Sequence, residues 1–429
     1  MPNVVYLHAE PTSIAQFLRV GTSGHRQLES FLAGGQLPSR RLVVGPSAFA
    51  KQKDLVASLQ EGGRELILDT NVAELSCVGR YEGAGQDAPW ANPDGILSPF
   101  HFGRGSNEFD VVGKIARFAI ESGVRRIHAP THLLVGVSDP WFEIDRHSVE
   151  VLRQLLDVGG GRKIAIDYPL MIPNKVLTDS AERRAFVSAL ASLPIDSVWL
   201  RISGFGANAT AVGLRKYISA AHDFHQLGKP VVSDGVGGMA ALAILSFGAA
   251  CGISHGVAEK ERFDTSSWNL PRKQGGGGNG YCFLLPGIDR LLKKEQAEAI
   301  ISAPSARRLL SCNDRSCCPH GFEDTLKNPK GHYLRQRAFA CEELSRVQDQ
   351  IRPRHFLDQN LASTDRLARQ VAKLKVNDAK LSEMLVKNSD RLDRTRTVLE
   401  DLHSTGLASS SPSFPPYAET RKTNRDGRR

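Results

Sequence analysis

The stretch from Lys229 to Asp264 limits the possible fold of this chain more than any other part of the sequence. It reads KPVVSDGVGGMAALAILSFGAACGISHGVAEKERFD. A β-branched run ends at Asp234-Gly235, and a glycine turn, a small-residue apolar segment and a second apolar run follow it. This order predicts strand, helix and strand, with the two strands parallel. Polar residues stand at both strand ends, where α/β folds usually place their chemistry.

Eight segments before residue 257 have the composition of short strands, and most are separated by segments with helical spacing of apolar residues. Eight strands alternating with helices over about 255 residues predict a (β/α)8 barrel of the α/β class, with a doubly wound open sheet as the alternative. The predicted strands are Val4–Ala9, Arg41–Ser47, Glu65–Asn71, Arg126–Leu134, Lys163–Leu170, Ser197–Phe205, Pro230–Gly235 and Ala250–His255.

Polar side chains lie at the predicted strand ends, and in a barrel these ends meet at one mouth. Several carboxylates there can act as nucleophile and general base, although each polar residue alone can simply cap a helix. The long loop from Ser76 to Asn107 is rich in glycine, proline and aromatic residues and is expected to cover the mouth. The strand-end residues are His8, Glu10, Ser47, Asp69, Asn71, Thr131, His132, Asp167, Tyr168, Arg201, Ser203, Asp234, Ser254 and His255.

The balance of charge favours an anionic partner. The chain has a formal net charge of +9, which suits nucleic acid, although an excess of lysine and arginine also occurs on plain solvated surfaces. The sequence contains no apolar run as long as the roughly 18 residues of a membrane span, and its first residues lack the pattern of a signal peptide. A cytoplasmic protein without a membrane partner is therefore expected.

Four cysteines and three histidines lie close together in the sequence between residues 312 and 355. Thiolate and imidazole groups at this density predict a structural zinc site, with ordinary buried thiols as the alternative. The spacing C-x4-C-C differs from the common C-x-x-C, and the sequence leaves the choice of ligands open. The candidates are Cys312, Cys317, Cys318, His320, His332, Cys341 and His355.

The remaining segments complete the expected organisation. Residues 1–270 are predicted to form the barrel, and residues 271–360, which begin with the glycine-rich run at 275–280, a zinc-binding helical subdomain packed on it. Leucines and valines at alternating four- and three-residue spacing predict one long amphipathic helix over 361–405, which pairs with a second copy through residues 363–403 or packs back on the barrel. Residues 406–429 are Ser/Pro-rich and then basic, and are predicted to be a disordered tail.

The order of these features resembles the tRNA-guanine transglycosylase superfamily, over roughly residues 40 to 360. LILDTNVAELS stands where the family has a D-S-G-G-F-Q-like motif, and RISGFGA is similar to its G-G-L-x-V-G-like turn. PVVSDGVGGMAALAILSFGAACGISHG resembles its strand, glycine turn, helix and strand. A cysteine cluster, a helix opening with Tyr333-Leu334 and a later histidine resemble its zinc site, which implies Cys312, Cys317, Cys318 and His355 as the ligands.

The resemblance implies an exchange of guanine for a 7-deazaguanine base in tRNA or DNA, by double displacement at ribose C1′. Asp69 matches the family's acid–base aspartate. The family's nucleophilic aspartate falls near Ile253-Ser254, where this chain has no carboxylate, so Asp234 or Asp167 is the expected substitute. The expected substrate-binding residues are Asn71, His132, Arg201, Ser203, Gly204, Gly235, Ser254 and His255.

Three other interpretations stay open at this stage. One is a nucleic-acid-binding relative that has lost glycosyl transfer, favoured by the missing aspartate. Another is an unrelated barrel enzyme that binds a phosphorylated small molecule at the turn Gly235–Gly238 and the helix N-terminus after it. The last is a scaffold organised by its C-terminal helix.

Overall fold

The fold is a closed barrel of eight parallel strands, which confirms the predicted class. The computed structural model describes residues 11–21, 25–103, 110–271, 280–406 and 410–416. Each barrel strand pairs with the next barrel strand along the chain, and the last pairs with the first. One minor strand, Phe205–Gly206, lies between two of them in the sequence but is not part of the barrel. The barrel strands are β1 (Ala15–Arg19), β2 (Arg41–Val44), β3 (Glu65–Leu68), β4 (Arg126–His128), β5 (Ala165–Pro173), β6 (Ser197–Ser203), β7 (Val231–Asp234) and β8 (Gly252–His255).

The first barrel strand differs from the prediction. It is β1, whereas the segment Val4–Ala9, with His8 and Glu10, lies outside the described residues. β1 reads AQFLR and closes the barrel through the pairs Phe17–Arg41 with β2 and Phe17–Ser254 with β8. Its single apolar pair is flanked by polar residues, which is a weak strand pattern in the sequence.

The strands are buried on both faces, because one face contacts the surrounding helices and the other fills the barrel interior. Every residue of β3 and of β7 is buried, including the polar ones. Two minor two-stranded sheets pair Phe205–Gly206 with Arg262–Phe263 and Tyr281–Phe283 with Leu292–Lys293.

Helices surround the barrel and continue beyond it. They are α1 (His25–Ala33), α2 (Pro46–Lys51), α3 (Lys53–Glu61), α4 (Val72–Leu75), α5 (Val111–Glu121), α6 (Pro140–Val158), α7 (Asn174–Thr178), α8 (Ser180–Leu190), α9 (Ala211–Ala221), α10 (Gly238–Ser246), α11 (Lys294–Ile301), α12 (Ala306–Leu310), α13 (Phe322–Lys327), α14 (Pro329–Ser345), α15 (Arg352–His355), α16 (Ala362–Val371) and α17 (Ala379–Ser404). Short 3-10 helices occupy Ala84–Asp87, Pro99–Phe102 and His222–Leu227, and a π-helical stretch, Phe356–Leu361, joins α15 to α16. Among these described helices, none combines the length and the apolar character needed to cross a membrane.

The predicted long C-terminal helix is two helices, α16 and α17, separated at residues 372–378. The leucines of α17 are buried inside the same chain, so the helices pack back on the barrel, which is one of the two predicted alternatives. α17 packs against α9 and α16, and its leucines at 381, 385, 392, 399 and 402 are at most 4% exposed. These side chains are therefore committed within the chain and do not offer an apolar face to a second copy.

The predicted disordered tail is ordered over residues 410–416 and closes the amino end of the barrel. The ring of Phe414 is 1% exposed and packs edge-on against Phe17, with centroids 4.9 Å apart. Ser411 accepts a 2.9 Å hydrogen bond from the backbone N–H of Val231, at the start of β7. The prediction of disorder is wrong for these residues because one aromatic side chain fills the barrel floor. Residues 407–409 and 417–429 lie outside the described part of the chain.

Candidate functional site

The barrel mouth holds two carboxylates joined by one guanidinium. Asp69 follows β3, Asp234 ends β7 and Arg19 ends β1, so three strand ends bring them together. Arg19 donates through Nε to Oδ1 of Asp234 at 2.8 Å and through Nη2 to Oδ2 at 2.5 Å. Its Nη1 donates to Oδ2 of Asp69. This bidentate geometry fixes the orientation of the Asp234 carboxylate, and the positive charge of Arg19 favours its ionised form.

Arg201, from β6, adds a second guanidinium to the same pair. Its Nε lies 3.0 Å from Oδ2 of Asp234, and its Nη2 lies 3.4 Å from Oδ2 of Asp69. Burial alone would raise the pKa of both carboxyl groups, but the charges of Arg19 and Arg201 outweigh it and hold both pKa values below their usual range. Both carboxylates are therefore ionised at neutral pH.

The two carboxylates differ in their access to solvent. A cavity of about 250 Å³ opens at the mouth, and Asp69 lines it together with Arg19, Asn71, Glu74 and Lys260. Asp234 is fully buried beneath this layer and is absent from the lining. A substrate in this cavity can therefore touch Asp69, whereas Asp234 acts on it through the two arginines.

Glu74 is a site residue that the sequence analysis missed. It lies on α4, the short helix that begins after Asn71, and its side chain is 20% exposed. Oε1 lies 3.7 Å from Nη1 of Arg201, and Oε2 is buried with no hydrogen-bond partner among the described residues. In the sequence it is one acidic residue in an ordinary helical segment, and only the turn at Asn71 brings it over the mouth.

His128 was also missed, and it lies below Asp69 inside the barrel. Its Nδ1 is 3.7 Å from Oδ1 of Asp69, and its ring packs edge-on against Trp199 at 4.4 Å between centroids. Within the described chain neither ring nitrogen makes a hydrogen bond. It lies three residues before Thr131, the first of the polar residues predicted at the end of this strand, and so it was not among the predicted site residues.

Asn71 lies at the mouth as predicted. It has a left-handed conformation, with φ of 52°, and its backbone N–H donates to Oδ1 of Asp69 at 3.2 Å. Asparagine tolerates this conformation better than most residues. The turn directs α4 across the cavity, so Asn71 shapes the site through its backbone as well as by lining it.

Asp167 does not lie at the mouth, and its predicted role as a nucleophile is wrong in position. It is the third residue of β5, which runs on to Pro173, so it faces the amino end of the barrel. There it accepts hydrogen bonds from Nε of Arg126 at 2.9 Å and from Oγ of Ser197 at 2.5 Å. This is a buried ion pair in the barrel floor, on the side where Phe414 is inserted.

His132 lies outside the barrel, between the end of β4 and α6. Its Nδ1 is 2.5 Å from Oδ1 of Asp145, and its ring stacks on Trp141 with centroids 3.7 Å apart. The ring is 1% exposed and does not line the mouth cavity. The structure therefore gives His132 a role in packing a helix against the barrel.

The loop after β8 covers the mouth, and it rests on three residues that were predicted to bind substrate, Ser203, Gly204 and Gly235. Oγ of Ser203 lies 2.7 Å from Oγ1 of Thr265, and Gly204 has a φ of 85°. A Cβ at Gly235, whose φ is 75°, would meet Phe263 at 3.1 Å, so this covering ring needs glycine beneath it. These residues hold the cover in place and do not line the cavity.

Ser254 and His255, at the end of β8, are fully buried. His255 lies with Nε2 3.2 Å from Nε2 of Gln16 and with Nδ1 3.0 Å from the hydroxyl of Tyr333. Burial lowers the pKa of His255. This histidine joins the barrel to α14, and neither residue lines the mouth cavity.

Three cysteines and one histidine can hold a zinc ion beside the barrel. Atoms of Cys312, Cys317, Cys318 and His332 all lie within 4.8 Å of one another. The sulfurs of Cys317 and Cys318 are 3.7 Å apart, and Nδ1 of His332 is 3.4 and 3.3 Å from them. A tetrahedron with Zn–S bonds of about 2.3 Å has S···S edges of about 3.8 Å, so the spacing fits zinc. Four protein ligands leave no open position, which is typical of a structural site.

His332 takes the place that the resemblance implied for His355. His332 lies in the first turn of α14, where Asn328 caps the helix, and this turn points toward the cysteine loop. His355 lies on α15, with Nε2 3.9 Å from Oε1 of Glu343. Of the other candidates, Cys341 is buried two and a half turns further along α14, and His320 is exposed beside Asp324.

The turn proposed as a phosphate seat is filled by the protein itself. A Cβ on Gly237 would meet the side chain of Glu261 at 2.3 Å, and one on Gly238 would meet Oδ1 of Asp289 at 2.5 Å. The backbone N–H of Met239, in the first turn of α10, donates to that same oxygen at 2.9 Å. Two carboxylates therefore occupy the helix N-terminus, and this overturns the expectation of a phosphate there.

Comparisons with known proteins find only low structural similarity and indicate no particular activity. No protein-family model and no curated protein matches the sequence. Among solved structures, a xylanase from Bispora sp. MEY-1 is 12% identical over 60% of this chain and 86% of its own, with a TM-score of 0.39. A mannanase domain from Prevotella bryantii is 10% identical over 60% and 88%, with a TM-score of 0.41. A type I 3-dehydroquinate dehydratase from Clostridium difficile is 8% identical over 61% and 91%, with a TM-score of 0.36.

Proposed function

We propose that this chain exchanges a nucleobase, guanine for a 7-deazaguanine, in tRNA or DNA by double displacement at ribose C1′. The observation that carries the proposal is the ionised carboxylate of Asp69 on the wall of the mouth cavity, with the carboxyl group of Glu74 beside it. A nucleophile and a proton-transfer group are the two parts that this chemistry requires.

Asp69 is better suited to the role of nucleophile than to proton transfer. The two arginines hold its pKa well below the usual range, so it does not keep a proton near neutral pH. A general acid works best with a pKa near the operating pH, which Asp69 does not have. We therefore assign Asp69 the nucleophilic role in place of the acid–base role expected from the sequence. The buried Asp234 orients Arg19 and Arg201 around it.

Glu74 is the proposed proton-transfer group. In the first half-reaction, an oxygen of Asp69 forms a bond to C1′ while the bond from C1′ to the base breaks. The electron pair goes to the departing base, which takes a proton from Glu74. In the second half-reaction Glu74 accepts a proton from the incoming 7-deazaguanine, whose nitrogen attacks C1′ and releases the carboxylate of Asp69. Atoms and charge balance over the cycle, and no further reactant is needed.

Zinc has no step in this scheme. Its four protein ligands would hold the start of α14 against the loop at 311–321, and α14 carries Tyr333 to the barrel. The net charge of +9 suits a nucleic-acid substrate, and the mouth cavity of about 250 Å³ suits one base taken out of its stack.

The test is an exchange assay with labelled guanine in tRNA and in DNA, together with mass spectrometry of nucleosides from cells with and without the protein. Wild type should release or incorporate guanine in one of the two nucleic acids, and Asp69→Asn should not. Asp54→Asn, which alters an exposed carboxylate on α3, is the matched control and should leave the rate unchanged. Full exchange by Asp69→Asn, or no change in any nucleoside with wild type, would overturn the proposal.

A further inference from the structure

A second and larger cavity adjoins the mouth. It has a volume of about 810 Å³ and runs as a groove between the loop after β8, the start of α14 and the exposed side of α17. Ligand sites in proteins commonly measure about 300–1,000 Å³, so this groove is large enough to bind a ligand of its own.

The groove is continuous with the mouth. Glu259 and Lys260 line both cavities. Ala258 and Lys260 have left-handed backbones, with φ of 55° and 56°, and the backbone N–H of Gly256 donates to the carbonyl oxygen of Glu259 at 2.9 Å. A tight turn therefore sets Lys260 on the ridge between the two cavities.

The lining of the groove is basic. Three acidic residues also line it, namely Glu259, Glu261 and Asp289. Glu261 is paired with Arg337 at 2.8 Å and Asp289 with Arg391 at 2.9 Å, so arginines already balance the charges of these two. The basic lining residues are Lys260, Arg262, Arg290, Lys330, Lys387 and Arg391.

Two of these cations are available for a ligand. Arg290 is exposed and Lys330 is half-buried, and neither forms an ion pair with any part of the chain that the structure describes. Lys330 stands in the first turn of α14, two residues before His332, and Arg290 follows Asp289, which caps α10. Both are thus held by elements that are anchored at the barrel or at the metal cluster.

We infer that this groove binds the sugar–phosphate backbone that flanks the nucleotide in the mouth. A nucleic-acid strand with one nucleotide flipped out would place that base in the base-sized cavity and its flanking phosphates along the groove. The cations that line the groove match such a row of phosphates. The inference rests on the proposed function, because it takes the base in the mouth and the phosphates in the groove as parts of one nucleic-acid strand. It adds a location for that strand, on the side of α14 and α17.

The experiment measures binding by fluorescence anisotropy over a series of salt concentrations, with the full-length, metal-loaded protein. The probes are a labelled 20-nucleotide single strand, a duplex of the same sequence and a tRNA. The test variant is Arg290→Glu with Lys330→Glu. The control is Arg162→Glu with Lys163→Glu, which makes the same change in net charge on exposed residues at the amino end of β5.

The groove variant should bind the preferred probe at least tenfold more weakly than wild type, and the control within about twofold. The slope of log K against log salt should fall by about 1.4 for a single strand or 1.8 for a duplex, as expected for two lost phosphate contacts. Arg290→Ala with Lys330→Ala should show a smaller loss in the same direction. Metal content and melting temperature report whether each variant is folded.

Equal binding by the groove variant and wild type would overturn the inference, as would equal losses in the groove and control variants. So would a wild type that binds none of the probes. The outcomes separate the two proposals, because Asp69→Asn should keep full binding while losing exchange. If the groove variant binds and exchanges as wild type does, the proposed function stands and the groove is not the binding site. If the groove variant loses binding but Asp69→Asn retains exchange, the groove stands as the binding site and the proposed role of Asp69 is wrong.

Discussion

The hydroxyl of Tyr333 donates a 2.9 Å hydrogen bond to Oε1 of Glu261 and so connects α14 to the loop over the barrel mouth. Tyr333 directly follows His332 of the cysteine–histidine cluster, and Glu261 directly follows Lys260 of the mouth cavity. Arg337, one turn further along α14, donates to the same oxygen at 2.8 Å. One helix therefore links the cluster to the loop over the mouth.

The first prediction concerns the metal. The purified protein should contain about one zinc per chain, because the four ligand atoms already have tetrahedral spacing. Cys318→Ser should lose the zinc and lower the melting temperature, and a chelator should do the same to wild type. Elemental analysis and thermal unfolding measure both. Cys282→Ser, at a half-buried cysteine outside the cluster, is the control and should keep the metal. A folded wild type without metal would contradict the assignment.

The second prediction is that Tyr333→Phe weakens the contact between α14 and the mouth without loss of zinc. The phenyl ring keeps the packing, but the hydrogen bonds to Glu261 and His255 are lost. A hydrogen bond to a charged group contributes about 1.5–3 kcal/mol, and Arg337 stays in place to satisfy Glu261, so the loss should lie near the lower figure. Denaturant unfolding measures it. Tyr81→Phe removes a hydroxyl from the exposed contact with Glu82 and should change stability little.

The third prediction is that Asp234→Asn destabilises the protein by about 3–5 kcal/mol at neutral pH, because it leaves two buried guanidinium groups undercompensated. The folded pKa of Asp234 is lowered, whereas an unfolded aspartate titrates near pH 3.9. Its stabilisation is therefore complete above about pH 4–5 and is lost as the pH falls further toward the lowered pKa. The loss of stability between pH 5 and pH 3 should be smaller in Asp234→Asn than in wild type.

Unfolding by urea at several pH values tests this prediction. Asp390→Asn, on the exposed side of α17, is the control and should follow the wild-type curve. If Asp234→Asn and wild type lost stability in parallel below pH 5, the ion network would not have the assigned pH dependence.

The barrel could be predicted from sequence because seven of its eight strands are apolar segments that alternate with helical ones, and Asp69 and Asp234 lie at the ends of two of them. Asp167 was misplaced because the predicted strand, Lys163–Leu170, stops short of β5, which runs on through Pro169 to Pro173. β4 ends at His128, opposite Asp167, so the later part of β5 has a continuous partner only in β6. Proline, which has no N–H to donate, is tolerated at such a position because one side of the strand lacks a continuous ladder. No local pattern distinguishes His332 from His355, since the direction in which α14 approaches the cysteine loop decides between them.

The fourth prediction concerns the floor of the barrel. Phe414→Ala should lower the free energy of unfolding by about 3–5 kcal/mol, because it leaves a void against Phe17 beneath the barrel. Arg41 and Arg126, whose guanidinium groups lie 4.8 and 4.4 Å from the ring centroid, would also lose that contact. Denaturant unfolding measures the effect. Phe100→Ala removes a ring that is 65% exposed and should cost far less, so equal losses would argue against insertion of Phe414.

The fifth prediction separates chemistry from binding at the mouth. Glu74→Gln should lower the rate of base exchange by about 10²–10⁴-fold, the usual range for loss of a general acid–base group, and should leave nucleic-acid affinity within about twofold. The amide keeps the shape of the side chain but cannot give up or accept the proton that the leaving and incoming bases require. Single-turnover exchange and anisotropy measure the two quantities on the same preparation. Glu343→Gln, at a half-exposed residue on α14, is the control and should match wild type in both. If Glu74→Gln kept the wild-type rate and pH profile, another group would have to carry the proton.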